Sequence, residues 1–143
     1  MPTGPTSPAP VLTTGERLMQ LVPDHVGRWK RHALARAPAR VDGVRPPTVE
    51  AEFRRANFRV QLSVTQTAGA PVTATPIERD TAEGSEKIYV EGGGIVRETL
   101  RRADGRIDVA LMRADGVIVI AHSIGVTASE LKTIAQGVRP AAR

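Results

Sequence analysis

At 143 residues the chain has the length of one domain with a single core. It contains no cysteine, which excludes disulfides, thiolate metal sites and cysteine nucleophiles. Only 3% of residues are aromatic (Trp29, Phe53, Phe58 and Tyr89), so the core is aliphatic and a stacking platform for single-stranded nucleic acid is not available. The net charge of +5 is local: between His25 and Thr48 six basic residues meet Asp42 alone, and the rest of the chain is balanced.

Residues 1–13, rich in Pro, Thr, Ser and Ala, read as a flexible tail without the basic start and apolar run of a signal peptide. No apolar stretch approaches the roughly 20 residues of a membrane span, and a cytoplasmic protein is expected. Thr14 is placed to cap a short helix through about Val22, with Leu18, Leu21 and Val22 on one face, and Pro23 ends it. The stretch DHVGRWKRHALARAP then carries the charge excess; Val26, Trp29 and Leu34 are expected to fasten it to the core while its basic side chains face water. Residues 38–47 read as loop.

From Thr48 the hydrophobic period becomes two. VEAEF (49–53) and FRVQLSV (58–64) form two half-buried strands joined by a short turn, with Glu50 and Glu52 expected opposite Arg59. Residues 66–85 read as a long loop, with a short edge strand near Val72 and the reach of a lid. EKIYVE (86–91), IVRETLRR (95–102), GRIDVALMR (105–113) and GVIVIAHS (116–123) are four further strands. The last three are separated by Asp104-Gly105 and Asp115-Gly116, where glycine takes the positive φ of a tight turn cheaply. The continuously apolar run 117–121 predicts a central strand, covered on both faces or buried more deeply than its neighbours. Thr127 and Glu130 have capping-box spacing ahead of a last helix bearing Leu131, Ile134 and Ala135. The expected fold is α+β: an antiparallel meander of about six strands, with a short N-terminal helix and a C-terminal helix packed on it. The domain spans 14–139, and 140–143 read as a flexible C-terminus.

Arg28, Lys30, Arg31, His32, Arg36, Arg40 and Arg45, around an anchoring Trp29, form the candidate binding set. They suit phosphates, an acidic protein or anionic headgroups, and equally a solvated connector. Gly92-Gly93-Gly94 is followed by a strand pattern rather than the helix start that a phosphate loop needs, so it reads as a bulge or turn. His25 and His32 have no carboxylate at ligand spacing, so no metal site is expected. His122 and Ser123 are adjacent in a strand and point to opposite faces. Without a G-x-S-x-G elbow or paired acids, neither a catalytic site nor a cofactor is expected. The repeated Arg-Ala-Asp-Gly at 102–105 and 113–116 reads as two hairpin turns at opposite ends of the sheet.

The stretch Pro23-Asp-His-Val-Gly27-Arg-Trp29, followed by the meander and the C-terminal helix, resembles small bacterial binding domains of the PsbP-like and DcrB-like kind. The resemblance covers most of residues 15–138, at the level of pattern only. It implies an accessory role in binding proteins rather than catalysis, and it transfers no binding residue. A non-enzymatic module that binds another protein, as an adaptor or chaperone-like factor, is the expected function. An anion- or nucleic-acid-binding protein using residues 28–45, and a small-ligand binder with a pocket between sheet and helix, are the alternatives. A homo-oligomer through an exposed edge strand in 49–64 is also open.

Overall fold

The computed structural model describes residues 13–37, 46–68 and 74–141. Arg40, Arg45, Val72 and the tail 1–12 lie outside them. Helix α1 runs over Thr14–Leu21. Its cap is Thr13, one residue earlier than the spacing predicts, because the Thr13 Oγ1 accepts the Glu16 amide at 3.1 Å. Helix α2 runs over Ala128–Gln136 with Thr127 as its cap, accepting the Glu130 amide at 3.2 Å. Among the described residues no helix is long and apolar enough to cross a membrane.

Among the described residues nine strands rather than about six lie between the helices: β1 (His25–Val26), β2 (Trp29–Arg36), β3 (Thr48–Arg55), β4 (Phe58–Gln66), β5 (Ile77–Asp80), β6 (Gly84–Glu91), β7 (Gly94–Arg101), β8 (Arg106–Met112) and β9 (Val117–Ile124). The three additions are β1, β2 and β5. In β2 the alternation is hidden by arginines and by a bulge between Arg31 and Ala33, which shifts the phase of the pattern. His25 and His32 therefore sit on neighbouring strands. Strand β5, with Glu78, Arg79 and Asp80, has too little apolar content to stand out from the loop around it.

All pairings are antiparallel, in the order β1-β2-β3-β4-β9-β8-β7-β6-β5. The sheet is thus two hairpin runs, β1–β4 and β5–β9, joined where β9 returns beside β4. This placement makes β3 and β4 interior, so residues 49–64 offer no edge for a second copy. The edges are β5 and the β1–β2 side. Strand β9 is central, as its apolar run predicts, but only alternate residues (Val117, Val119, Ala121 and Ser123) are fully buried.

Every fully buried strand side chain lies on one face. Cross-strand rows such as Val49–Val64–Val119–Leu111–Val96 and Ala51–Leu62–Ala121–Val109 define that face. Both helices cover it. Helix α1 packs on β2, β3 and β4 through Leu18 and Leu21, and α2 packs on β8 and β9 through Leu131 and Ile134. Phe53, with none of its surface in water, contributes about 2–3 kcal/mol through burial. After α2 the chain crosses between the helices, where the Arg139 amide donates to Leu21 O at 2.8 Å.

The Asp-Gly turns fall at opposite ends of the sheet, Gly105 and Gly116 both with positive φ. Their ion pairs differ despite the shared sequence. Arg113 of the second repeat bonds its own Asp115, at 2.5 Å, whereas Asp104 of the first is held by Arg101 and Arg102 reaches Asp80. Gly92 and Gly93 form a two-residue hairpin turn, both with positive φ, closing Glu91 against Gly94.

Candidate functional site

No helix lies on the other face of the sheet among the described residues, and register sorts its side chains into four rows. At one end Val90, Ile95, Met112 and Ile118 stand side by side across four strands. The next row holds Ile77, Ile88, Arg97, Ala110 and Ile120. A mixed row follows with Glu86, Thr99, Asp108, His122, Gln61 and Glu52. The last row is basic: Arg101 opposite Arg106, Arg106 opposite Ile124, then Arg59 opposite Arg54 and Arg54 opposite Lys30. The face therefore grades from aliphatic to arginine along the strands. The six residue steps from the first row to the last, Ile118 to Ile124 on β9, span about 20 Å at strand rise.

The side chains on the aliphatic rows are only half-buried, and Val90 is 51% exposed. At the basic end Ile124 is 59% exposed, set between the arginines of β4 and β8. A shallow concavity of about 390 Å³ opens there, lined by Asn57, Arg59, Gln61, Arg101, Arg106 and His122 among others. Arg54 is paired with Glu52 at 2.9 Å, Arg106 with Asp108 at 2.8 Å and Arg101 with Asp104. Arg59 and Lys30 have no carboxylate partner among the described residues. Burial and the Arg106 charge push the His122 pKa below its ordinary value, with Asp108 opposing. His122 is thus a neutral neighbour of the arginines near pH 7.

The basic stretch that stands out in sequence does not form one patch in space. Arg31 turns to the helix side, where its Nη1 donates to Val22 O at 2.9 Å and its Nη2 pairs with Asp24 at 3.0 Å. Arg36 also faces α1, its Cδ close enough to Gly15 that a Cβ there would meet it at 2.7 Å. Arg28 sits in the β1–β2 turn, His32 sits at the bulge, and Lys30 alone joins the basic row. Trp29 is in the core at 6% exposure. The basic-row residues that sequence reading misses are Arg54, Arg59, Arg101 and Arg106. A signal was present: Arg54 and Arg59, and again Arg101 and Arg106, flank their hairpin turns symmetrically and so must be cross-strand partners. The expected contact of Glu50 and Glu52 with Arg59 fails for the same reason, since register sets Glu52 opposite Gln61. His122 and Ser123 do diverge, Ser123 Oγ donating to Arg59 O on the helix side.

The cleft between sheet and helix has about 670 Å³ and is lined by Gly92-Gly93-Gly94, Val96, Leu111, Arg113, Lys132 and Gln136, among others. Its cations are already engaged. Lys132 Nζ lies 2.9 Å from Glu91, donates to Tyr89 Oη at 3.1 Å and sits 5.2 Å from that ring's centroid. Tyr89 in turn donates to Glu98 at 2.5 Å. Hydrogen bonds to Tyr89 and Glu91 hold the Lys132 pKa well above its ordinary value, so it stays cationic. Burial, with the bond to Glu98, raises that of Tyr89. This network fastens α2 to β6 and β7 and leaves no free charge for a ligand. Among the described residues no three His, Asp or Glu converge as metal ligands, and no buried side-chain polar atom lacks a partner. No family model, curated protein or solved structure matches the chain.

Proposed function

We propose that the protein is a non-enzymatic interaction module that docks another protein on the helix-free face of its sheet. The observation that carries this reading is the sidedness of the sheet: both helices pack on one face, and the other keeps two aliphatic rows beside a basic one. A soluble protein partner with an apolar surface bordered by carboxylates is complementary to that gradient. The PsbP-like or DcrB-like resemblance agrees with an accessory, protein-binding role. The cleft beside α2 supports a small-ligand reading less well, because its charges are internally satisfied.

The test is to isolate the native complex, identify the partner and measure its binding to Val90→Glu and to Lys132→Glu. Val90 is exposed on the docking face and Lys132 is on the helix side; because Lys132→Glu also removes the contacts to Glu91 and Tyr89, unchanged far-UV spectra of both variants check that the fold is kept. At least about a ten-fold loss for Val90→Glu with little change for Lys132→Glu is expected, a difference of roughly 1.4 kcal/mol. The opposite ranking moves the interface to the helix side and refutes the reading.

A further inference from the structure

The arginine row gives the docking face a second, chemically distinct half, and its occupant is readable from the arrangement. Lys30, Arg54, Arg59, Arg106 and Arg101 occupy five of six neighbouring strands at one level of the sheet, with Ile124 filling the sixth. At about 4.8 Å per strand the row is roughly 24 Å long. We infer that it is a recognition site for the carboxylates of an acidic protein segment, whose apolar residues continue onto the aliphatic rows; this rests on the docking reading above.

Three features favour carboxylates over a phosphate backbone. Glu52, Asp104 and Asp108 pair with Arg54, Arg101 and Arg106, so among the described residues the unpaired positive charge of the row is confined to Arg59 and Lys30 rather than running as a continuous track. Phe58 is the one exposed aromatic at the basic end, where it lines the concavity beside Arg59; Trp29 and Phe53 are buried in the core and Tyr89 is held on the helix side by Lys132, so successive bases find no series of platforms to stack on. The exposed Ile124, between Arg59 and Arg106, suits an amphipathic segment and offers nothing to a sugar-phosphate chain. Arg59 is the free fork of the row, with Gln61 beside it on the same strand, and bidentate carboxylate recognition is what a guanidinium supplies best.

The probe is a fluorescein-labelled peptide with a leucine-rich half followed by a glutamate-rich half, titrated by anisotropy at low salt. Its glutamine counterpart and an oligothymidylate of equal charge serve as comparisons. The glutamate peptide binds about ten-fold more tightly than the glutamine one, weakens as salt rises, and loses about ten-fold on Arg59→Gln. Arg59 has no ion pair among the described residues, so that variant keeps the fold; an unchanged far-UV spectrum checks this. Absent peptide binding, binding indifferent to Arg59→Gln, or tighter binding of the oligothymidylate overturns the inference. If the identified partner still depends on Val90 in any of these outcomes, the docking face stands and only the arginine assignment falls.

Discussion

Arg54 and Arg59 face each other as register partners across the β3–β4 hairpin, and among the described residues only Arg54 has a carboxylate, Glu52, at 2.9 Å. Two cations directly opposite on one sheet face repel each other, so folding alone gives no reason to keep both. Arg59→Gln should therefore stabilise the fold by about 0.2–1 kcal/mol while weakening partner binding. Urea denaturation followed by Trp29 fluorescence reads the first effect. A destabilised variant would mean that Arg59 has a structural role unrelated to recognition.

The two Arg-Ala-Asp-Gly turns are identical in sequence but unequal in what they hold. Asp115 accepts from Arg113, from the Val117 amide at 3.1 Å and from the Ala141 amide at 3.1 Å, joining the β8–β9 turn to the chain beyond α2. Asp104 is exposed and serves only its own hairpin, accepting from Arg101 and the Arg106 amide. Asp115→Ala should cost about 1–3 kcal/mol, and Asp104→Ala clearly less. Equal losses in paired denaturation curves contradict this ranking.

Both aspartates also give the fold an acid dependence of defined sign. Arg101 and the Arg106 amide hold the Asp104 carboxyl at about 2, below its ordinary value, despite some opposing desolvation. For Asp115, burial raises the pKa but is outweighed by the Arg113, Ala141 and Val117 hydrogen bonds, so the net direction is also down. Groups depressed by folding stabilise above their unfolded pKa and lose that contribution as pH falls through the folded one. His122 acts in the same direction at higher pH, because burial disfavours its charged form in the folded state. Stability should fall as pH drops from neutral to about 5, and His122→Gln should flatten that slope. Urea midpoints at several pH values decide it; an unchanged slope shows that His122 titrates normally.

Helix α2 is held by a small set of fully buried aliphatic side chains, so Leu131→Ala should cost about 2–5 kcal/mol. Hydrogen exchange should then show α2 opening ahead of the β3–β4–β9 centre. Uniform opening would mean that α2 and the sheet unfold as one unit.

Much of this architecture follows from local chemistry that the sequence displays. Asp104-Gly105 and Asp115-Gly116 mark turns, Val117 to Ala121 mark the centre, and Thr127 marks the start of α2. Strand β2 stays hidden because Arg31 and Arg36, charged residues, occupy inward-facing positions, and a bulge interrupts the alternation between them. The site is less legible for a different reason. Arg54–Arg59 and Arg101–Arg106 are local pairs across hairpins, but their union into one row depends on β9 lying beside β4, a long-range pairing set by tertiary packing. Conversely, the dense basic run from Arg28 to Arg36 misleads, because strand alternation and the bulge distribute its charges between the two faces.

The most direct measurement places a photo-crosslinking residue in turn at Val90 and Ile124 on the helix-free face, and at Met19 and Lys132 on the helix side, in cells of the source organism. Adducts with one common protein from Val90 and Ile124, absent from Met19 and Lys132 and lost for Ile124 when Arg59→Gln is introduced, are the expected result. Adducts confined to the helix-side positions would contradict the assignment of the interface to the open sheet face.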